Sequence, residues 1–290
     1  MSPAGLTWSK ARVRSFDETD IAARRFDGGA GAPLLIVNAV GASAAAWRRT
    51  LGGIVAERAA FTWDHRGLLE SGPPRTQRID PGAHAEDAIA VLDHYGVAEV
   101  VIASWSNGTR VGLEIAHRYP ERVRAIAFVC GAYGYPLGRI LRLEFVSLLP
   151  LVAGVAKQFP GPMSVALRAF ASRREVAGLI RQSGMVTATA DTRALVELLK
   201  GIASCDMRLL LAIFEAVAGD AAPELGRSLT CPALVIAAER DQFTPRSLMQ
   251  EMARLVPNAS LIVYPNATHY LPLEHPVRLA GDLSRLFQSA

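Results

Sequence analysis

The run Val100-Val101-Ile102-Ala103 leads into Ser104-Trp105-Ser106-Asn107-Gly108. A serine in such a small-x-Ser-x-Gly turn can serve as a nucleophile. A tight strand-to-helix turn lifts the middle side chain above a sheet, and small residues two before and two after it avoid collision. The helix N-terminus behind it offers free N–H groups and a positive dipole end. Ser106 is therefore the candidate nucleophile, and the backbone N–H of Asn107 the candidate donor to a developing oxyanion. The competing reading is a serine that merely caps a helix. Position 104 also carries Ser where this signature has Gly.

A serine needs a base, and the chain has six histidines. His65 lies in a turn beside Arg66. His84, His94 and His117 fall in helical stretches, and His275 opens the last helix. His269 lies in Asn266-Ala267-Thr268-His269-Tyr270, just past the last apolar run. In a sheet whose loops gather at its carboxyl edge, that position approaches Ser106. A neutral imidazole there can take the serine proton near neutral pH. The imidazole in turn needs an orienting carboxylate. Asp241 follows the run Ala233-Leu234-Val235-Ile236-Ala237, and Glu239, two residues earlier, is the alternative. The other suitable position, after the run 123–129, reads Cys130-Gly131-Ala132-Tyr133 and holds no acid. That favours Asp241.

These residues need a scaffold with alternating strands and helices. Short apolar runs at 34–37, 60–63, 100–103, 123–129, 233–237 and 261–264 predict buried strands. Helical spacing at about 44–57, 82–95, 106–118, 247–255 and 277–287 separates them or follows the last of them. Strands apolar on both faces, alternating with helices, predict a mostly parallel sheet covered on both sides. From 131 to about 230 the rhythm changes. That segment is rich in Leu, Ala, Arg, Phe and Met, is cut by Pro150, Pro160 and Pro162, and reads as several helices.

With Ser106, Asp241 and His269 in that chain order, the sequence resembles the α/β-hydrolase superfamily in its capped form. Asn38-Ala39-Val40-Gly41 matches the family's His-Gly-x-Gly turn, so the resemblance gives the Val40 N–H the role of second oxyanion donor. Asp64-His65-Arg66-Gly67-Leu68-Leu69-Glu70-Ser71 matches Asp-x-Arg-Gly-x-Gly-x-Ser, and Ala238 to Pro245 matches Gly-x-x-Asp-x-x-x-Pro. His269 with Glu274-His275-Pro276 matches the final His-x-x-x-x-Glu-x-Pro. Asn38 and Ala39 replace His-Gly, while Leu69, Ser104 and Ala238 each replace a Gly. None of these changes removes a catalytic side chain. The resemblance implies an α/β-hydrolase core made of 1–130 and 229–290. It also implies a helical cap, 131–228, inserted after the sixth strand. Ser at 106 argues against the dehalogenase and epoxide hydrolase branches, which need a carboxylate nucleophile.

Half of the 290 residues are hydrophobic and 20% are charged, which excludes global disorder. The net charge of +4 is spread along the chain, so no nucleic-acid partner is expected. Cys130, Cys205 and Cys231 form no CxxC pair, which argues against a disulfide framework or a thiolate zinc site. No metal and no cofactor is expected, because phosphate loop, dinucleotide fingerprint and metal-ligand cluster are all absent. Gly28-Gly29-Ala30-Gly31 precedes its nearest predicted strand and reads as a turn. The first 30 residues carry four acidic groups and no apolar core, so they do not read as a signal peptide. The greasy stretch 140–156 is broken by Arg142, Glu144 and Pro150, so no stable membrane insertion is expected. A cytoplasmic protein is the expectation, with a homodimer as one possible assembly.

The chemistry expected is acyl transfer to water on a small to medium apolar ester, lactone or thioester. Trp105, Phe145 and Phe214 are candidates to line an apolar pocket. The alternatives are a carbon–carbon bond hydrolase, a lyase or an acyltransferase on the same scaffold, or a ligand-binding protein without catalysis.

Overall fold

A computed structural model describes residues 6, 9–133, 169–170, 175–218 and 222–288. Its strands are β1 (Ser9–Arg14), β2 (Asp20–Ala30), β3 (Leu34–Val37), β4 (Arg58–Trp63), β5 (Val100–Trp105), β6 (Val123–Val129), β7 (Ala233–Ala238) and β8 (Ala259–Tyr264). They form one sheet in the order β1-β2-β4-β3-β5-β6-β7-β8. β1, β2 and β4 pair antiparallel, and every pairing from β4–β3 to β7–β8 is parallel. β3, β5 and β7 are buried at every position, as a parallel sheet covered on both faces requires.

The described helices are α1 (Arg48–Leu51), α2 (Pro81–His94), α3 (Gly108–Arg118), α4 (Val176–Gln182), α5 (Thr192–Ser204), α6 (Met207–Ala218), α7 (Pro223–Arg227), α8 (Arg246–Leu255), α9 (Leu271–Glu274) and α10 (Pro276–Gln288). Strand alternation splits the core in two. Leu35, Val37, Ile102 and Phe128 face one side with Val91, Val111 and Met252 from α2, α3 and α8. Leu34, Ile36, Ala103 and Ala127 face the other with Leu51, Leu283 and Phe287 from α1 and α10.

Three sequence expectations change. The hairpin β1–β2 has no counterpart among the predicted strands, because its positions carry Lys10, Arg12, Arg14, Arg24 and Arg25 in place of an apolar run. Arg24 is buried there against Asp64 at 2.6 Å and Glu70 at 3.0 Å, a pairing that only the folded chain reveals. The Gly28-Gly29-Ala30 stretch is the end of β2 and not a free turn. A Cβ at Gly28 would sit 2.1 Å from the Arg58 carbonyl oxygen, so only glycine allows that approach. The single helix expected over 44–57 is a 3-10 turn, Ala44–Trp47, followed by the one-turn α1, which ends where Gly52-Gly53 begins.

Within 131–228 the described residues hold the helices α4 to α7 and no strand. α5 and α6 pack on the turn after β3: a Cβ at Gly41 would lie 3.2 Å from Leu210 Cδ1 and 3.3 Å from Ile202 Cγ1. Phe145 and the stretch 140–156 lie outside the described residues. Among the described residues no helix is long and apolar enough to cross a membrane.

Candidate active site

The carboxyl ends of the parallel strands gather the candidate residues. β3 runs into Asn38-Ala39-Val40, β5 into Ser106, β7 into the loop with Asp241, and β8 into the loop with His269.

Ser106 takes φ +57, the left-handed region that a residue with a Cβ enters only at a cost. The surrounding structure imposes it. Ser106 N–H donates to the Val129 carbonyl at 2.9 Å, and the Ser106 carbonyl accepts from Thr109 N–H at 3.0 Å. A Cβ at Gly108 would stand 2.4 Å from the Asn38 carbonyl oxygen, so glycine is required for the close approach of α3 to the β3 turn. Ser104 is accommodated in place of Gly: it is buried, and its hydroxyl donates to the Ala127 carbonyl at 3.0 Å.

Ser106 Oγ lies 2.7 Å from His269 Nε2. His269 Nδ1 lies 2.9 Å from Asp241 Oδ2 and 3.0 Å from Oδ1. A carboxylate only accepts, so Nδ1 carries the proton and Nε2 presents its lone pair to the serine hydroxyl. Asp241 also accepts from Phe243 N–H and Thr244 N–H, both at 2.8 Å, and from the Thr244 hydroxyl at 2.6 Å. Burial alone would raise its carboxyl. The His269 imidazole and the hydrogen bonds from His269 and Thr244 outweigh that and hold it below the ordinary carboxylate range. Glu239, the alternative acid, is exposed and accepts from Asn266 N–H at 2.8 Å. The structure leaves it outside this chain of bonds.

The His269 loop is tied down from several sides. Trp105 Nε1 donates to the His269 carbonyl at 3.0 Å, and Arg240 N–H donates to the Ala267 carbonyl at 2.9 Å. Glu274 accepts from Thr268 N–H at 2.8 Å and from the Thr268 hydroxyl at 2.6 Å. It also accepts from Thr187 N–H at 2.8 Å, which joins the loop to the segment before α5. The Phe243 ring packs 4.9 Å from the imidazole.

The Trp105 side chain is 1% exposed and its indole N–H is engaged below the site. Phe214 is half-buried on α6. Of the two expected oxyanion donors, Val40 N–H is already engaged, donating to Asn107 Oδ1 at 2.9 Å. The sequence reading also missed Thr244, although Asp241-x-x-Thr244 before Pro245 is an Asx-type turn signal.

Cys130, Asp241 and His269 place a thiol, a carboxylate and an imidazole within 4.8 Å of one another. This donor set does not suit a metal ion. Burial, and then the adjacent Asp241 charge, push the Cys130 thiol well above its usual range, so it keeps its proton. The carboxylate and imidazole are engaged with each other, and the second imidazole nitrogen with Ser106.

A family profile described as alpha/beta hydrolase fold matches residues 32–276. The chain belongs to the α/β-hydrolase family. Among its relatives is the dihydrolipoyllysine-residue acetyltransferase component of the acetoin cleaving system of Pseudomonas putida, 27% identical over 85% of this chain. The α/β-hydrolase chain spans only 61% of that relative's length. A 2-hydroxymuconate semialdehyde hydrolase from Pseudomonas sp. is 25% identical, over 88% of this chain and 86% of the relative. Among solved structures, the esterase RhEst1 from Rhodococcus sp. superposes with a TM-score of 0.76 at 24% identity, over 97% of this chain and 99% of that one.

Proposed function

We propose that this hydrolase cleaves a carboxylic ester, lactone or thioester of a small to medium apolar substrate, through an acyl-enzyme on Ser106. The observation that carries the reading is the unbroken hydrogen-bond chain from Ser106 Oγ through His269 to Asp241. Ser106 Oγ attacks the carbonyl carbon as its proton passes to His269 Nε2. The oxyanion takes hydrogen bonds from the Asn107 and Val40 N–H groups, each worth about 3–4 kcal/mol in a favourable site. Collapse expels the alkoxide or thiolate, which leaves with the proton from His269. Water then gives a proton to His269 and attacks the acyl carbon. The acid departs, and Ser106 recovers its proton.

In this reading 131–228 is the cap and 1–130 with 229–290 the catalytic core. The apolar character of the substrate rests on what packs around the turns after β3 and β4: Ile202 and Leu210 against Gly41, and Leu209 against Gly67. A p-nitrophenyl ester series from acetyl to decanoyl tests it. Specificity constants should rise with chain length to a medium optimum, and equal constants across the series would remove the apolar element. A second reading, acyl transfer or carbon–carbon cleavage on the same residues, draws support from the names of the acetyltransferase and semialdehyde hydrolase relatives. Product analysis in water, with and without an alcohol or thiol acceptor, separates the two.

A further inference from the structure

Asn107 offers more than its backbone amide. It is the N-cap residue of α3, yet its carboxamide makes no capping bond to that helix. Instead Asn107 Oδ1 reaches across to take the Val40 N–H at 2.9 Å, with the residue only 3% exposed. In the reading above, on which this inference rests, that N–H is the second oxyanion donor. A side-chain carbonyl therefore holds the same hydrogen that the substrate oxygen must use.

The β3 turn has supports besides Asn107. Asn38 Nδ2 donates to Thr62 Oγ1 at 3.0 Å, and Thr62 Oγ1 donates to the Ile36 carbonyl at 2.9 Å. His65 Nε2 donates to the Asn38 carbonyl at 3.1 Å. Ala42 N–H closes the turn on the Ala39 carbonyl at 2.9 Å, and Ile202 and Leu210 pack against Gly41. These bonds hold the residues on either side of Val40, so the turn has supports other than the Asn107 bond.

We infer that the Asn107 carboxamide is an internal gate on the oxyanion site, holding the Val40 N–H until negative charge develops on the substrate oxygen. An amide oxygen accepts a hydrogen bond better than a neutral ester oxygen does, so the gate stays shut against the ground state. A hydrogen bond to an anionic oxygen is about twice as strong as a neutral one, so the tetrahedral intermediate displaces the carboxamide. The exchange costs the transition state one neutral hydrogen bond, so the gate slows the reaction while it keeps the Val40 N–H from the bound ester. No proton or covalent bond changes hands in it.

Two near-isosteric variants separate a gate from a structural prop, because both keep the backbone N–H of position 107. Asn107→Leu removes the acceptor and should raise kcat/KM on p-nitrophenyl acetate about three- to tenfold, the scale of one neutral hydrogen bond. Asn107→Asp supplies an anionic acceptor and should lower it at least about tenfold at pH 7, with recovery relative to the wild type at the same pH as the pH falls and the new carboxyl protonates. Asn107→Ala, compared at matched thermal stability, stands in if leucine does not fit. Losses in both variants without pH recovery, or no change in either, overturn the gate. Labelling of the wild type by a fluorophosphonate keeps the two readings apart. A wild type that labels at Ser106 while Asn107→Leu slows loses only the gate. A folded wild type that does not label loses the Ser106 reading itself.

Discussion

Replacing Asp241 with asparagine changes one atom and should cost nearly all activity. The geometry says which way the new amide turns. Oδ1 accepts from two backbone N–H groups, Phe243 and Thr244, at 2.8 Å each. An NH2 group cannot face two donors, so the amide keeps its oxygen there and turns its nitrogen toward Thr244 Oγ and His269 Nδ1. The threonine hydroxyl can rotate and accept, so that contact survives. The imidazole cannot do the same without changing tautomer. Nδ1 then meets the amide nitrogen at its nearer contact and the amide oxygen at 3.0 Å, so the tautomer with the proton on Nε2, which cannot take the proton of Ser106, gains population. The expected loss in kcat is about 10⁴-fold, or about 5 kcal/mol of transition-state stabilisation. The fold should lose much less, about 1–3 kcal/mol, for the charge-assisted bonds replaced by neutral ones. Steady-state hydrolysis of a p-nitrophenyl ester and urea unfolding of the same preparation measure the two quantities. Glu239→Gln is the control, and its rate should stay within about twofold of the wild type, since that side chain is exposed. Asp241→Asn with more than a tenth of wild-type activity, or a larger loss from Glu239→Gln, would refute the assignment of the acid.

Two further outcomes follow from the same structure. Trp105→Phe keeps an aromatic ring but leaves the His269 carbonyl without its indole donor; urea unfolding should show a loss of about 1–3 kcal/mol, and kcat should fall as the histidine loop loosens. Stability should also decline in mild acid. Burial pushes His65 down to about 4 and His84 well below its usual range, whereas the unfolded chain protonates both near 6.5. The unfolded state therefore binds more protons below pH 6.5, and the folded state loses up to about 1.4 kcal/mol per pH unit for each histidine as pH falls toward 4. Asp17 extends the decline. Burial would raise its carboxyl, but hydrogen bonds from Thr19 and Thr76 and the Arg66 charge hold it at about 2, so its contribution is lost as pH falls from 3.8 toward 2. Urea unfolding free energies at pH 7, 6, 5, 4 and 3 check this, and a flat profile from pH 7 to 4 would contradict the burial of the two histidines as neutral groups.

The parts of the fold legible in the sequence are those where burial is uniform. β5 and β7 are apolar on both faces, so a continuous run marks them, and the turns that follow carry Ser106 and Asp241. β1 and β2 were not legible, because Arg24 earns its buried place through Asp64 and Glu70, residues 40 or more positions away in sequence. The helix over 44–57 failed on a local signal that the apolar spacing outweighed, the Gly52-Gly53 pair. At the site, residue types and chain order revealed the three side chains that share hydrogen bonds. What they did not reveal is directional. Trp105 looked like a pocket wall, and its indole turns inward to a backbone carbonyl. Asn107 looked like a donor only, and its side chain crosses to Val40. Both depend on where a neighbouring loop comes to rest, which spacing along one segment does not encode.

Whether Ser106 is an activated nucleophile is decided by intact-mass spectrometry after treatment with a fluorophosphonate. The wild type should carry one adduct and Ser106→Ala none, and labelling of His269→Ala should be slower by several orders of magnitude. Equal labelling of the wild type and Ser106→Ala, or no labelling of folded wild type by even a small ethyl fluorophosphonate, would contradict it.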